Sequence, residues 1–257
     1  MARLQIHFDS RHVTVDIIVP ELMRNAKARG KTAAEYYSNR SLPVLWLLHG
    51  GLGNSTDWPR YTQIETFAEE KGIIVVCPTS ENGCYTDMAK GIQWETLIMD
   101  DLWARVHGML PTSDKREDNF IAGLSMGGYG ALKFALKYPE RFSYVGSFSG
   151  GVEIPQEFAV GEFRLPQASD IFGDPDKILG SSNDLYWLSE NLKSSGAPVP
   201  EVYMSCGTKD RLYGVNAKLC DRMKELGYNV TWDESEHDHE WRFWNIQVEK
   251  YLDFLPL

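Results

Sequence analysis

A serine between two glycines is the part of this 257-residue chain whose setting points most directly to chemistry. Ser125 lies in the run Gly123-Leu124-Ser125-Met126-Gly127. The apolar residues 120–124 lead into it, and a helical pattern of apolar residues begins at Ala131. This strand–turn–helix setting is the one in which G-x-S-x-G presents a nucleophile, and so sharp a turn needs small neighbours. We therefore predict that Ser125 is a nucleophile; the alternative is a glycine-rich turn that serves packing only.

A serine nucleophile needs a base, and the base needs an acid to orient it, because a hydroxyl is barely ionised at neutral pH. The histidines that follow Ser125 in the chain are His237 and His239, and the residues alone leave the choice between them open. Asp210 follows the apolar run 201–206 in a Gly-Thr-Lys-Asp turn, which makes it the candidate acid. The alternative for Asp210 is a helix cap. A His-x-His pair could also bind a metal, but no third ligand cluster accompanies it, so we expect no metal.

A second glycine-rich turn follows a strand that we expect to be buried on both faces. Residues 44–48 form a continuous apolar run, which is typical of a central parallel strand. The run ends in His49-Gly50-Gly51-Leu52-Gly53. Glycines at this position let backbone N–H groups approach a ligand without obstruction by a Cβ atom. We predict that the loop supplies one N–H to a developing oxyanion and that His49 braces it; an ordinary turn is the alternative.

The elements that must position these residues alternate between strands and helices, which predicts an α/β fold with a mostly parallel, doubly wound sheet. The active site should lie at the carboxyl ends of the strands. Residues 20–42 are predicted to form a surface excursion. Residues 152–196 are predicted to form a small cap over the site, with an ordinary connection containing a helix near 184–192 as the alternative. The predicted strands are 4–8, 12–19, 44–48, 73–78, 120–124, 143–149, 201–206 and 229–233, and the predicted helices cover 61–71, 94–110, 212–226 and the segments after Ala131 and Trp241.

Composition restricts the class of protein. The length fits a single domain over residues 1–257, and a net charge of −10 argues against nucleic acid or an anionic membrane as partner. The N-terminus has no apolar signal core, and no run approaches the roughly 18 apolar residues that span a bilayer. The four cysteines show no disulfide-framework spacing, so we predict reduced, mostly buried thiols in a cytoplasmic protein. They are Cys77, Cys84, Cys206 and Cys220.

Taken together, the motifs resemble the esterase D / tributyrin esterase family of α/β-hydrolases, which includes S-formylglutathione hydrolases and feruloyl or acetyl-xylan esterases. The likeness runs from about residue 44 to residue 250. The motifs that carry it are His49-Gly50-Gly51, Gly123 to Ala131, Tyr85-Thr86-Asp87, Tyr138-Pro139-Glu140-Arg141-Phe142, Gly207-Thr208-Lys209-Asp210 and His239-Glu240-Trp241-Arg242-Phe243-Trp244. The resemblance implies an α/β-hydrolase fold with an eight-stranded sheet and a serine carboxylesterase for short-chain acyl esters.

The resemblance also implies roles for individual residues. The family's last motif is His-x-Trp-x-x-Trp, which His239 matches and His237 does not, so the implied triad is Ser125, Asp210 and His239. The implied oxyanion hole consists of the backbone N–H groups of Met126 and Gly51, with Leu52 as the fallback for the second. One departure is a run of five acids around His239, which would repel anionic substrates if they faced the pocket and which otherwise form a solvated loop. These acids are Asp233, Glu234, Glu236, Asp238 and Glu240.

Several features of the function follow only as expectations. The partner should be a small-molecule ester, no metal or organic cofactor is required, and a homodimer or homotetramer would be ordinary for such a family. Narrower alternatives are a thioesterase for S-formylglutathione and an esterase for feruloylated or acetylated sugars. The alternative outside catalysis is a silent hydrolase fold that acts as a binding protein.

Overall fold

A computed structural model of the chain describes residues 1–8, 13–21, 30–38, 42–160 and 168–257. The described strands form one eight-stranded sheet in the order β1-β2-β4-β3-β5-β6-β7-β8. The first two strands are antiparallel to their neighbours, and the other six run parallel. This is the α/β-hydrolase arrangement that the sequence predicted, with the antiparallel pair at one edge. The strands are β1 (Ala2–Phe8), β2 (Val13–Val19), β3 (Val44–Leu48), β4 (Ile74–Pro78), β5 (Asn119–Leu124), β6 (Tyr144–Phe148), β7 (Glu201–Gly207) and β8 (Val230–Ser235).

The central strands are apolar throughout because both of their faces are covered. Every residue of β3, β4 and β5 is buried, and successive side chains of β3 enter opposite hydrophobic clusters. Trp46 packs in the cluster with α6, and Leu47 packs in the cluster with α3 and α11. The helices are α1 (Ala33–Ser38), α2 (Asp57–Tyr61), α3 (Ile64–Lys71), α4 (Trp94–Thr96), α5 (Trp103–Met109), α6 (Met126–Lys137), α7 (Ile154–Ala159), α8 (Ala168–Phe172), α9 (Leu185–Ser195), α10 (Tyr213–Glu225) and α11 (Trp241–Phe254).

Two predicted helices differ from the structure. The segment predicted as one helix over 61–71 is divided into α2 and α3, because Thr62 is extended and its hydroxyl donates to the carbonyl of Trp58 at 2.6 Å. The segment predicted over 94–110 contains a π-helical stretch, Leu97–Leu102, between α4 and α5. Such a stretch changes the hydrogen-bond register without changing which residues are apolar, so apolar periodicity does not reveal it.

The predicted surface excursion, 20–42, and the predicted cap, 152–196, are each described in part. Of the predicted surface excursion, residues 22–29 and 39–41 lie outside the described residues, and α1 occupies part of the remainder. Of the predicted cap, residues 161–167 lie outside them, and the helix expected near 184–192 is α9. None of the helices in the described ranges is long and apolar enough to cross a membrane.

Candidate active site

Ser125 occupies the single-residue turn between β5 and α6. Its backbone has φ 52° and ψ −119°, a region that residues other than glycine rarely adopt and that costs about 1–3 kcal/mol. The turn is fixed from several sides: the Ser125 N–H donates to the carbonyl of Phe148 at 2.9 Å, and the Ser125 carbonyl accepts from Gly128 at 3.0 Å and Gly151 at 2.8 Å. The packed backbone therefore holds the half-buried serine in the strained conformation that the motif predicted.

The two glycines of the motif are required by close backbone contacts. A Cβ atom on Gly123 would lie 2.3 Å from the carbonyl oxygen of Gly127, and one on Gly127 would lie 2.4 Å from the carbonyl oxygen of Leu48. Both separations are far shorter than van der Waals contact, so a side chain at either position would push the strands and α6 apart. The glycines thus let the end of β3, the end of β5 and the start of α6 meet around Ser125.

His239 joins Ser125 to Asp210. The Nε2 atom of His239 lies 3.0 Å from Ser125 Oγ, and its Nδ1 atom lies 2.8 Å from Asp210 Oδ2. The histidine therefore contacts the hydroxyl through one ring nitrogen and the carboxylate through the other. With the Nδ1 proton on the Asp210 side, Nε2 is free to accept the hydroxyl proton, which is the geometry of a nucleophile, a base and an orienting acid.

The loop after β8 decides which histidine reaches the serine. The carbonyl of His237 accepts from the N–H of Lys209 at 3.0 Å, and a Cβ atom on Gly207 would lie 2.2 Å from the same carbonyl oxygen. This contact fixes residue 237 against the turn after β7. The ring of His237 is directed to Glu240, with 2.9 Å between Nδ1 and Oε1. The choice that the residues alone left open falls on His239, as the family motif implied.

Asp210 is 4% exposed and is held by further donors. Its Oδ1 atom accepts from the N–H of Leu212 at 2.9 Å. Burial raises the pKa of the Asp210 carboxyl, but the hydrogen bonds from His239, Leu212 and Ser149 outweigh burial and leave the pKa below its usual value. Ser149 is itself buried with φ 48°, and its Oγ accepts from Trp244 Nε1 at 3.2 Å. A chain of hydrogen bonds thus runs from Trp244 through Ser149 to Asp210.

Ser149 was missed at the sequence level, and no local motif singles it out. It directly follows β6, at the same sheet edge as Ser125, and its role depends on contacts with distant segments. Trp244 lies within the predicted His-x-Trp-x-x-Trp motif, and its ring packs edge-on against that of His239 at 4.9 Å between centroids. Trp244 therefore restricts the imidazole of His239 by packing, and it supports Asp210 indirectly, through its hydrogen bond to Ser149.

The predicted oxyanion loop lies beside the serine, braced by a neutral histidine. The Nδ1 atom of His49 lies 2.6 Å from the carbonyl oxygen of Gly50, and Nε2 accepts from the N–H of Ser80 at 2.9 Å. Burial lowers the pKa of His49 to about 4, so the ring is uncharged at neutral pH and acts as a structural brace.

The backbone N–H groups of the two oxyanion loop candidates differ in their partners. The N–H of Leu52 donates to Asn82 Oδ1 at 2.7 Å. Across the described ranges, no hydrogen bond engages the N–H of Gly51 or that of Met126. The geometry therefore favours Gly51 over Leu52 as the partner of Met126 in an oxyanion hole.

A cavity of about 300 Å³ opens onto Ser125. It is lined by Gly50, Gly51, Leu52, Asp57, Tyr61, Leu124, Ser125, His239, Trp241 and Trp244. No lining residue comes from the described parts of 152–196, so the cap remains a prediction. No motif singles out Asp57 or Tyr61 in the sequence; the predicted helix begins at Tyr61, whereas in the structure both residues belong to α2.

The five acids around His239 are engaged outside the cavity. None lines it; Glu236 pairs with Lys209 at 2.7 Å, Asp233 pairs with Lys250 at 2.6 Å, and Glu240 contacts His237. The other two accept hydrogen bonds, Glu234 from Tyr213 and Trp232, and Asp238 from the backbone N–H of His239. Asp233 and Glu234 belong to the end of β8 and the other three to the loop that follows it, and none of the five faces the cavity. Neither here nor anywhere else among the described residues does a group of three or more His, Cys, Asp or Glu side chains have the arrangement to hold a metal ion.

The four cysteines take no part in this site. All four are free and buried, as the sequence predicted. Burial raises the pKa of each thiol, which keeps the groups protonated and unreactive at neutral pH.

Comparison with known proteins gives consistent results over most of the chain. Residues 26–252 match the esterase family. The chain is 30% identical over 262 residues to an acetyl esterase of Caldicellulosiruptor saccharolyticus, which covers 99% of this chain and 98% of that protein. Fluorophosphonate-binding serine hydrolase F of Staphylococcus aureus superposes with a TM-score of 0.86 at 28% identity, and covers 99% of this chain and 97% of that one. The S-formylglutathione hydrolase of Staphylococcus aureus superposes with a TM-score of 0.83 at 28% identity and the same coverages.

Proposed function

Because this chain belongs to the esterase family and is a serine hydrolase of carboxylic esters, we propose that it cleaves short-chain acyl esters with Ser125 as nucleophile, His239 as base and Asp210 as orienting acid. The observation that carries the assignment is the pair of contacts made by one imidazole, 3.0 Å to Ser125 Oγ and 2.8 Å to Asp210 Oδ2. The strained turn at Ser125 supports it, because such strain is retained where the position of a side chain matters.

The reaction proceeds in two halves. His239 Nε2 takes the Ser125 proton as Oγ attacks the ester carbonyl, and the N–H groups of Gly51 and Met126 stabilise the oxyanion. The protonated imidazole, held by Asp210, then gives its proton to the departing alcohol oxygen, which leaves an acyl-enzyme. Water attacks the acyl carbon while His239 accepts the water proton, and Ser125 leaves with that proton as the carboxylic acid is released. These steps use only side chains and backbone of this chain, and we propose that no cofactor is needed.

The size of the cavity supports small esters. A volume of about 300 Å³ is at the lower end for ligand pockets, which fits acetyl to butyryl groups better than long lipid chains. The acetyl esterase relative favours acetylated substrates within this class. The structural similarity to an S-formylglutathione hydrolase keeps that thioester as a second candidate.

The location, the domain organisation, the partners and the assembly of the protein are also proposals. We propose a cytoplasmic, single-domain enzyme that acts on small molecules rather than nucleic acid or membranes and that assembles as a dimer or tetramer. Residues 152–196 would form the cap, adjacent to the site through Gly151, whose N–H donates to the Ser125 carbonyl at 2.8 Å.

The test is hydrolysis of 4-nitrophenyl acetate and butyrate by purified protein and by a Ser125→Ala variant. We expect turnover by the native chain and a loss of at least about 10³-fold in kcat in the variant. A fluorophosphonate probe should label the native protein and fail to label the variant. Near-native turnover by Ser125→Ala would refute the proposal, and absence of both turnover and labelling in the native protein would favour the silent binding protein.

A further inference from the structure

The cavity beside Ser125 has an uneven charge lining. Among its described lining residues there is one carboxylate, Asp57, and no lysine or arginine. The other titratable side chains on its wall are His239 and Tyr61, and the remaining surface consists of Ser125, glycines, leucines and two tryptophans. An anionic group that entered this cleft would meet a negative charge and would find no cation to replace its lost hydration.

Asp57 owes its position to the loop that carries the oxyanion candidates. A Cβ atom on Gly53 would lie 2.2 Å from Asp57 Oδ2, so the glycine provides the space that the carboxylate occupies. The Asp57 carboxylate is partly buried and accepts from the backbone N–H of Asn54. These contacts hold the carboxylate against the loop rather than in bulk solvent, where its field would be screened more strongly.

The groups around Asp57 include one nearby positive charge, that of Arg60, which compensates the charge of the carboxylate only in part. Burial raises the pKa of Asp57, while the N–H of Asn54 and the charge of Arg60 lower it. Arg60 is exposed and does not line the cavity, and its guanidinium lies over the ring of Tyr61 at 5.4 Å from the centroid. The acids around His239 make their contacts outside the cavity, so Asp57 is the carboxylate that an entering substrate meets on the described wall.

We propose that Asp57 determines the charge specificity of the site, so that esters with neutral or cationic groups are cleaved in preference to esters that carry a carboxylate near the scissile bond. The inference rests on the proposed esterase function and narrows its substrate class. It disfavours glutathione thioesters, because glutathione carries two carboxylates, and favours acyl esters of neutral alcohols such as sugars.

The test compares two nearly isosteric substrates, 4-carbamoylphenyl acetate and 4-carboxyphenyl acetate, by release of acid in a pH-stat. The measured quantity is the ratio of kcat/KM for the neutral ester to kcat/KM for the anionic ester. This ratio does not depend on the fraction of folded enzyme, and the oxyanion formed in both reactions affects both terms equally. We expect the native protein to prefer the neutral ester and Asp57→Asn, which retains an acceptor for Asn54, to reduce the preference about fivefold.

The matched control is Asp221→Asn, which removes the same charge from an exposed position on α10 outside the cavity. We expect this variant to keep the native ratio within about twofold, since a screened distant charge has little effect. The inference is refuted if Asp57→Asn leaves the ratio unchanged, or if both variants change it equally, which would indicate an effect of net charge. If the native protein cleaves neither ester and a fluorophosphonate probe does not label it, the proposed function fails instead.

Discussion

Replacement of Asp210 by asparagine is predicted to disable the histidine by changing its tautomer. In the native site, Asp210 Oδ1 accepts from Leu212 N–H at 2.9 Å and Oδ2 faces His239 Nδ1 at 2.8 Å. An asparagine has one oxygen and one NH₂ group for these two places. The oxygen must stay on the Leu212 side, because an NH₂ group there would face another donor.

The NH₂ group of the asparagine then faces His239 Nδ1, which must become an acceptor. The proton of the neutral imidazole moves to Nε2, the nitrogen 3.0 Å from Ser125 Oγ, and the base can no longer take the serine proton. A tautomer change of this kind lowers kcat by about 10⁴-fold, which is about 5.5 kcal/mol of transition-state stabilisation.

The assay is kcat and kcat/KM on 4-nitrophenyl acetate, with circular dichroism to show that Asp210→Asn is folded. Asp238→Asn is the matched control, because Asp238 contacts the backbone N–H of His239 rather than its ring. We expect the control to keep activity within about fivefold, since it disturbs one exposed hydrogen bond. An Asp210→Asn enzyme within tenfold of native activity would refute the tautomer argument.

The same substitution should change the dependence of stability on pH. The folded pKa of Asp210 is lowered, so its ionised form stabilises the fold above the unfolded pKa of about 3.9, and this stabilisation is lost as the pH falls through the folded value. The free energy of unfolding of the native protein should therefore fall more steeply than that of Asp210→Asn below about pH 4. Equal slopes in urea denaturation series over this range would contradict the lowered pKa.

Three further predictions concern the histidine base and the residues that hold the site in place. His239→Ala should lower kcat by about 10³-fold or more, whereas His237→Ala should change kcat less than about fivefold. Similar losses in the two variants would refute the assignment of His239 as the base. Ser149→Ala should lower the free energy of unfolding by about 1.5–3 kcal/mol in urea titrations and kcat by about tenfold, because the Asp210 carboxylate loses a donor. Unchanged values would show that Ser149 does not support Asp210. Gly127→Ala should cost about 3 kcal/mol in the same titration, and native-like stability would show that the backbone can relax.

Much of the fold could be predicted because its buried strands appear in the sequence as short, unbroken runs of apolar residues. The run 44–48 is apolar at every position, and the structure places β3 at Val44–Leu48 with both faces covered. The boundaries that were wrong lie where a side-chain hydrogen bond ends a helix or where the backbone hydrogen-bond register changes. The hydroxyl of Thr62 ends α2, and the π-helical stretch Leu97–Leu102 alters hydrogen bonding while leaving the apolar pattern intact.

In the site, Ser125 and Asp210 could be named as candidates without a structure, because a tight turn after a strand is a local property of glycines and neighbouring apolar residues. Individual residues could not decide between His237 and His239; the family motif favoured the second, and the carbonyl contact between residue 237 and Lys209 gives the physical reason. Asp57 and Ser149 became visible only in the tertiary structure. Their roles depend on distances to groups far away along the chain, and such distances are set by how the strands and helices pack, which no local pattern encodes.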